Sequence, residues 1–258
     1  MAYMGKKDEQ MKVFILGLDG LEYEFVNKWN LTNLKQHEYG KIKVPVNKES
    51  GLPTSPEVWA AFLTGKHIAN LRFVKPFPVG IIFDLLRFMR KHINISLGLG
   101  KKVGGLAPSR FPELKHKTFL DYAISKEINV PYYSYDHRAV DVTHRFAKGE
   151  LSLSEAMNML KSIYEERKRQ ILTEMEGLRD VELVFAYMHY PDILQHFLIY
   201  RPRKIKEHYI DLDNYVSILK HKIGGSSLFL IISDHGFDLK QKNHSTYGCL
   251  LYTSDAAD

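Results

Sequence analysis

Apolar residues fall in short runs separated by longer stretches with helical spacing. The runs at 12–18 (KVFILGL), 182–188 (ELVFAYM) and 227–232 (SLFLII) have the length and bounded apolarity of buried strands. Shorter strands are expected at 41–46 and 130–135. Helices are expected over 21–29, 56–64, 118–126 and 152–176, and within 204–222. The longest opens on Ser152 with Glu155 three residues on, a capping-box spacing, and stops before Gly177. Strands alternating with helices predict an α/β fold: a mostly parallel central sheet with helices on both faces. Residues 68–117 break the rhythm. Prolines 76, 78, 108 and 112, with glycines at 98, 100, 104 and 105, frame one apolar and basic helix expected at 81–93. Three readings stay open for this insert. It is a cap bringing Arg87, Arg90, Lys91, Lys101 or Lys102 to an anionic substrate, a surface excursion packed through Ile82, Phe83, Leu86 and Phe88, or a membrane-surface helix.

Composition narrows the class. The chain has 258 residues, enough for one large domain, with no apolar stretch near the ~20 residues of a membrane span. Met1 to Gln10 form a polar extension without the apolar core of a signal peptide, so a cytoplasmic location is expected. The net charge of +6 includes no dense Lys/Arg block, so no stable nucleic-acid partner is expected. The last ten residues, CLLYTSDAAD, resemble the translation of a transposase adaptor used in sequencing libraries. The domain organisation expected is therefore an extension at 1–10, a folded domain at 11–248 and a non-native tail at 249–258. Omitting Asp255 and Asp258 moves the charge from +6 to +8 (two acids fewer). The single cysteine, Cys249, excludes a disulfide framework.

The three strong strands share one feature. Each delivers metal-type ligands at its exit: Asp19-Gly20 after the first, Asp192 and His196 after the second, Ser233-Asp234-His235-Gly236 after the third. In open α/β sheets, ligands bind beyond the carboxyl ends of the strands. A hydroxyl candidate lies in PTSPEVWAAFLTG, residues 53–65, where Ser55 precedes Pro56 and is expected to cap the helix. Capping alone accounts for such a serine. A helix N-terminus also stabilises anions, so the same hydroxyl is placed to attack phosphorus if a metal lowers its pKa.

Taken in order, Asp19-Gly20, the 53–65 segment, Pro191-Asp192-Ile-Leu-Gln-His196 and Ser-Asp234-His235-Gly236 resemble the alkaline phosphatase superfamily. Within it the chain looks like the type I phosphodiesterase/nucleotide pyrophosphatase group, in compact form, over 11–248. The resemblance implies a catalytic domain with two divalent ions, zinc first, with manganese, iron or magnesium as substitutes. One ion would be held by Asp19, Ser55, Asp234 and His235, the other by Asp192, His196 and a downstream histidine, for which His244 is the candidate. Ser55 would be the nucleophile, with Thr54 the runner-up, and a phospho-serine would form and then hydrolyse. A small phosphoester or nucleotide is the implied substrate. Threonine commonly stands where Ser55 does, and glycine often where Gln195 does, so the chain departs from the family pattern at both positions. Two other functions remain open: a phosphomutase or phosphotransferase on the same core, and a non-catalytic metal- or phosphate-binding module. His189 is read as a supporting residue. His137 and His144, with Asp136 and Asp141, line the pocket or lie on the surface.

Overall fold

The computed structural model describes residues 12–48, 50–67, 111, 114–176, 178, 181–225 and 227–253. The helix expected at 81–93, its basic residues and the extension at 1–10 lie outside them. A six-stranded sheet runs in the order β2-β8-β5-β1-β4-β3. Its strands are β1 (Lys12–Leu18), β2 (Glu38–Lys43), β3 (Ser125–Ile128), β4 (Leu183–Met188), β5 (Ser227–Ser233) and β8 (Tyr247–Tyr252). β1 pairs in parallel with β4 and β5, and β3 with β4, while β8 is antiparallel to both neighbours. The expected α/β architecture with a mostly parallel sheet is present.

Alternation along β1 explains the two layers. Phe14, Leu16 and Leu18 face one core with α1 (Tyr23–Lys28), α2 (Thr32–Lys35), α4 (Arg138–Ala147), α5 (Leu153–Glu176), α6 (Tyr190–Leu198) and α7 (Pro202–Ile223). Ile15 faces the other core, where Trp59 and Leu63 of α3 (Ser55–Thr64) meet Phe185, Tyr187 and Ile232. The capping box expected at α5 is present: Ser152 N–H donates to Glu155 Oε2 at 2.7 Å, and Glu155 N–H to Ser152 Oγ at 3.2 Å.

Several expected elements move. The helix expected at 118–126 is one 3-10 turn, Phe119–Tyr122, closed by a capping box between Thr118 and Asp121. The chain then extends into β3, which takes the place of the strand expected at 130–135. Asn129 and Tyr132 have φ of 62° and 71°, so the aromatic-rich 130–135 segment turns instead of pleating. Pro131 also removes a ladder donor. β2 begins three residues before its expected start. α4, α6 and the two-stranded hairpin β6 (Gly236–Asp238) and β7 (Asn243–Ser245) are additions. β8 is continuous across Gly248, with Cys249 and Leu251 fully buried. Residues 254–258 are outside the described set.

Candidate metal centre

β5, β1 and β4 are neighbours in the sheet and end side by side, so Asp234-His235, Asp19 and the β4–α6 junction meet at one edge. Gly20 (φ 68°) makes the meeting possible. A Cβ there would stand 2.8 Å from Asp192 Cβ and 2.9 Å from its Cα. Asp19, Asp192, Asp234 and His235 are all buried.

Two ligand sets face each other. In the first, Asp19 Oδ1 lies 3.3 Å from His235 Nε2 and accepts from Ser55 Oγ at 3.3 Å. Ser55 Oγ is also 3.2 Å from His235 Nε2, which stands 3.3 Å from Asp234 Oδ2. In the second set, Asp192 Oδ1 lies 3.4 Å from His196 Nε2 and 3.5 Å from His244 Nε2, and the two imidazole nitrogens are 3.1 Å apart. The His235 and His244 rings stack at 3.7 Å, joining the sets. All seven sequence candidates therefore converge. Thr54 does not join them: it is the N-cap residue of α3, and its hydroxyl donates to Glu57 Oε2 at 3.1 Å. Ser55 is thus the first helical residue and not the cap, because the chain turns helical one residue earlier than expected.

The donor set fits divalent cations. His235 Nδ1 donates to the Gly236 carbonyl at 3.0 Å and His244 Nδ1 to the Pro53 carbonyl at 3.3 Å. A carbonyl can only accept, so in the neutral form each ring directs its Nε2 lone pair to the centre. Among the described residues, Asp192 Oδ1 and Asp234 Oδ2 are buried without a hydrogen-bond partner. Asp19, Asp234 and His235 form one group able to hold an ion, and Asp192, His235 and His244 another; Asp19, His189 and Asp192 form a third. Electrostatics agree. Burial first, then the neighbouring Asp19, pushes the Asp234 carboxyl up to about 8. Burial opposes the charged form of His235, but Asp234 and Asp19 outweigh it and push the imidazole up to about 10. Burial also opposes ionisation of Asp192, yet the charges of His196 and His244 hold it well below the usual carboxylate range. A pocket that crowds carboxylates this closely gains from a bound cation.

The surrounding shell was only partly visible in the sequence. Tyr187, the fifth residue of β4, donates its hydroxyl to Asp19 Oδ2. Strand alternation puts it on the Trp59 face, but nothing in its spacing marks it as polar support. His189, read from the sequence as a supporting residue, lies beside Asp19: Nε2 is 3.8 Å from Asp19 Oδ2 and Nδ1 pairs with Tyr135 OH. Gln195, where the resembled pattern often has glycine, is fully buried. Its Nε2 donates to the Gly20 carbonyl at 2.7 Å, and its Oε1 accepts from Tyr209 OH at 3.0 Å. Asp136 does not enter the site. It pairs with Arg138 at 2.7 Å and Arg167 at 2.8 Å. His137 and His144 belong to the start and body of α4.

No family model and no curated protein matches the sequence. Solved structures do. Human ectonucleotide pyrophosphatase/phosphodiesterase 5 superposes with a TM-score of 0.50 at 15% identity, covering 88% of this chain and 57% of that one. The chain has an alkaline phosphatase-like fold. The murine counterpart gives a TM-score of 0.48 at 15% identity, and its inactive form in complex with AMP gives 0.49 at 16%. Each is again covered over 57% of its length and 88% of this chain, so the chain spans less than two-thirds of these proteins. Among the described residues, no helix is long and apolar enough to cross a membrane.

Proposed function

We propose that this protein is a metal-dependent phosphoric-ester hydrolase of the phosphodiesterase/nucleotide pyrophosphatase type, working through a phosphorylated Ser55 at a two-ion site. One observation carries the reading: a hydroxyl at the first residue of a ten-residue helix stands 3.3 Å from a buried carboxylate and 3.2 Å from a buried imidazole. Asp19, Ser55, Asp234 and His235 would hold one ion, and Asp192, His196 and His244 the other. Bound there, the ions supply charge that lowers the hydroxyl pKa and neutralises the phosphoryl group.

The chain's own residues do the rest. Asp19 Oδ1 accepts from Ser55 Oγ–H and directs a lone pair outward. The α3 N-terminus turns the positive end of its dipole toward the phosphoryl oxygens, though Pro56 at the second helical position has no N–H to add. Ser55 Oγ bonds to phosphorus as the ester P–O bond breaks; its proton passes to Asp19 Oδ1 and on to solvent, and the leaving oxygen takes a proton from solvent as it departs on the opposite face. Water then attacks phosphorus, and its proton returns to Ser55 Oγ as the serine–phosphorus bond breaks. Zinc-dependent hydrolysis of bis-p-nitrophenyl phosphate tests the reading. Wild-type turnover should fall at least ~10²-fold in Ser55→Ala, as expected when covalent catalysis is removed, while zinc still binds. Equal turnover in both would overturn it.

A further inference from the structure

We infer that Glu22 is a positioning residue for the metal centre: a buried carboxylate that ties the three ligand-bearing segments together. The inference rests on the two-ion reading above. Glu22 lies three residues after Asp19, caps α1 and is 1% exposed. Its Oε1 accepts from Glu24 N–H at 2.9 Å and Tyr247 OH at 2.6 Å. Its Oε2 accepts from Phe237 N–H at 2.7 Å and Ser245 OH at 3.0 Å.

The sequence positions of these donors give the residue its meaning. Phe237 is two residues after His235, and Ser245 immediately follows His244. One oxygen therefore fixes the backbone of β6 and the side chain of β7, the strands that aim the two stacked histidines. Gly236 belongs to the same device, since a Cβ there would overlap Glu22 Oε2. Glu22 N–H donates to Tyr209 OH at 2.9 Å, and that hydroxyl donates to Gln195 beside His196. All four groups on the carboxylate are neutral donors, so an uncharged amide cannot replace it. Either amide orientation turns an NH₂ toward a backbone N–H, that of Glu24 or of Phe237, which cannot accept it. A carboxylate serving only the core would need none of these connections to ligand-bearing strands.

Cobalt binding to the full chain tests the role, because the visible spectrum of Co²⁺ reports ligand geometry. Glu22→Gln is expected to lower Zn²⁺ and Co²⁺ affinity about 10–100-fold, the usual cost of losing support behind a metal ligand, and to change the cobalt spectrum. Ser245→Ala, which removes one bond and keeps the charge, should move both readouts the same way by less. Asp213→Asn is the matched control. Asp213 is also buried and accepts from Leu34 N–H and Asn33 Nδ2, each at 2.8 Å, on the α2–α7 contact. It should lower Tm and leave the cobalt spectrum unchanged. Wild-type affinity and spectrum in both Glu22→Gln and Ser245→Ala would overturn the inference. Failure of the wild-type protein to bind cobalt would instead overturn the two-ion reading, and this inference with it.

Discussion

Replacing Gly20 with alanine tests whether the approach of α6 to β1 builds the site. The new Cβ would meet Asp192 Cβ at 2.8 Å, Cα at 2.9 Å and Oδ1 at 3.0 Å. Carbon atoms prefer separations of about 3.5 Å or more, so α6 must retreat by roughly 0.7 Å. A backbone atom is among those struck, so no side-chain rotation relieves the clash. The left-handed φ of 68° adds a cost of about 1–2 kcal/mol for a residue with a Cβ. Overpacking adds about 1–3 kcal/mol. The sum, about 2–5 kcal/mol, corresponds to a Tm fall of roughly 4–20 °C for a chain of this size. Zinc affinity should fall too, because Asp192 leads the second ligand set. Gly40→Ala is the control: it lies in β2 with nothing within 4 Å of the added Cβ, and its effect should stay within about 0.5 kcal/mol. Thermal denaturation of both variants, with and without zinc, gives the answer. If Gly20→Ala melts with Gly40→Ala and binds zinc normally, the close approach does not build the site.

Three further outcomes are expected. Tyr187→Phe removes the hydroxyl on Asp19 and should weaken zinc binding about 10–100-fold; titration calorimetry showing wild-type affinity would remove Tyr187 from the supporting shell. Zinc at 100 times its Kd should stabilise the protein by about 2.7 kcal/mol, so chelation should lower Tm and added zinc restore it; a melt indifferent to both would count against the centre. Asp136→Asn should lose stability in a pH-dependent way. Burial raises the Asp136 carboxyl, but hydrogen bonds and charge from Arg138, with Arg167, bring it below its ordinary 3.8. Its contribution is present above that value and is lost as pH falls through the depressed one. Urea unfolding should therefore separate variant and wild type at pH 6 and bring them together toward pH 2; a gap constant with pH would show that the charge is not responsible.

The strands that carry ligands were legible because they are buried on both faces and read as continuous apolar runs. Their exits were legible because Asp-Gly and Asp-His-Gly are poor core material. β3 was not: its residues, Ser125-Lys-Glu-Ile128, carry only one apolar side chain, and pairing with β4 makes the strand. The 130–135 segment had the better strand composition and lost to the positive φ of Tyr132 and to Pro131. Glu22 was illegible for a different reason. Its four donors come from residues 24, 237, 245 and 247, three of them more than two hundred positions away. Short-range patterning does not encode such a meeting. Gln195 was noticed only as a departure from a pattern; the Gly20 carbonyl and Tyr209 supply the reason for it.

The adjacency of β5, β1 and β4 makes the sheet itself a ruler for the chemistry. Neighbouring strands lie about 4.8 Å apart, a pitch fixed by backbone hydrogen bonding and not by side-chain choice. Two-ion hydrolytic centres, the kind proposed above, hold their ions about 3.5–4 Å apart. Asp19 and Asp234 follow adjacent strands and are rooted near that pitch, while Asp192 and His196 reach in from α6 and His244 from β7. Substitutions within β1 and β5 that keep the hydrogen-bonded register are therefore expected to leave the spacing of Asp19 and Asp234 unchanged. Under the two-ion proposal, a change of cation preference is expected to act through ligand length at the strand exits, where aspartate and glutamate differ by one methylene.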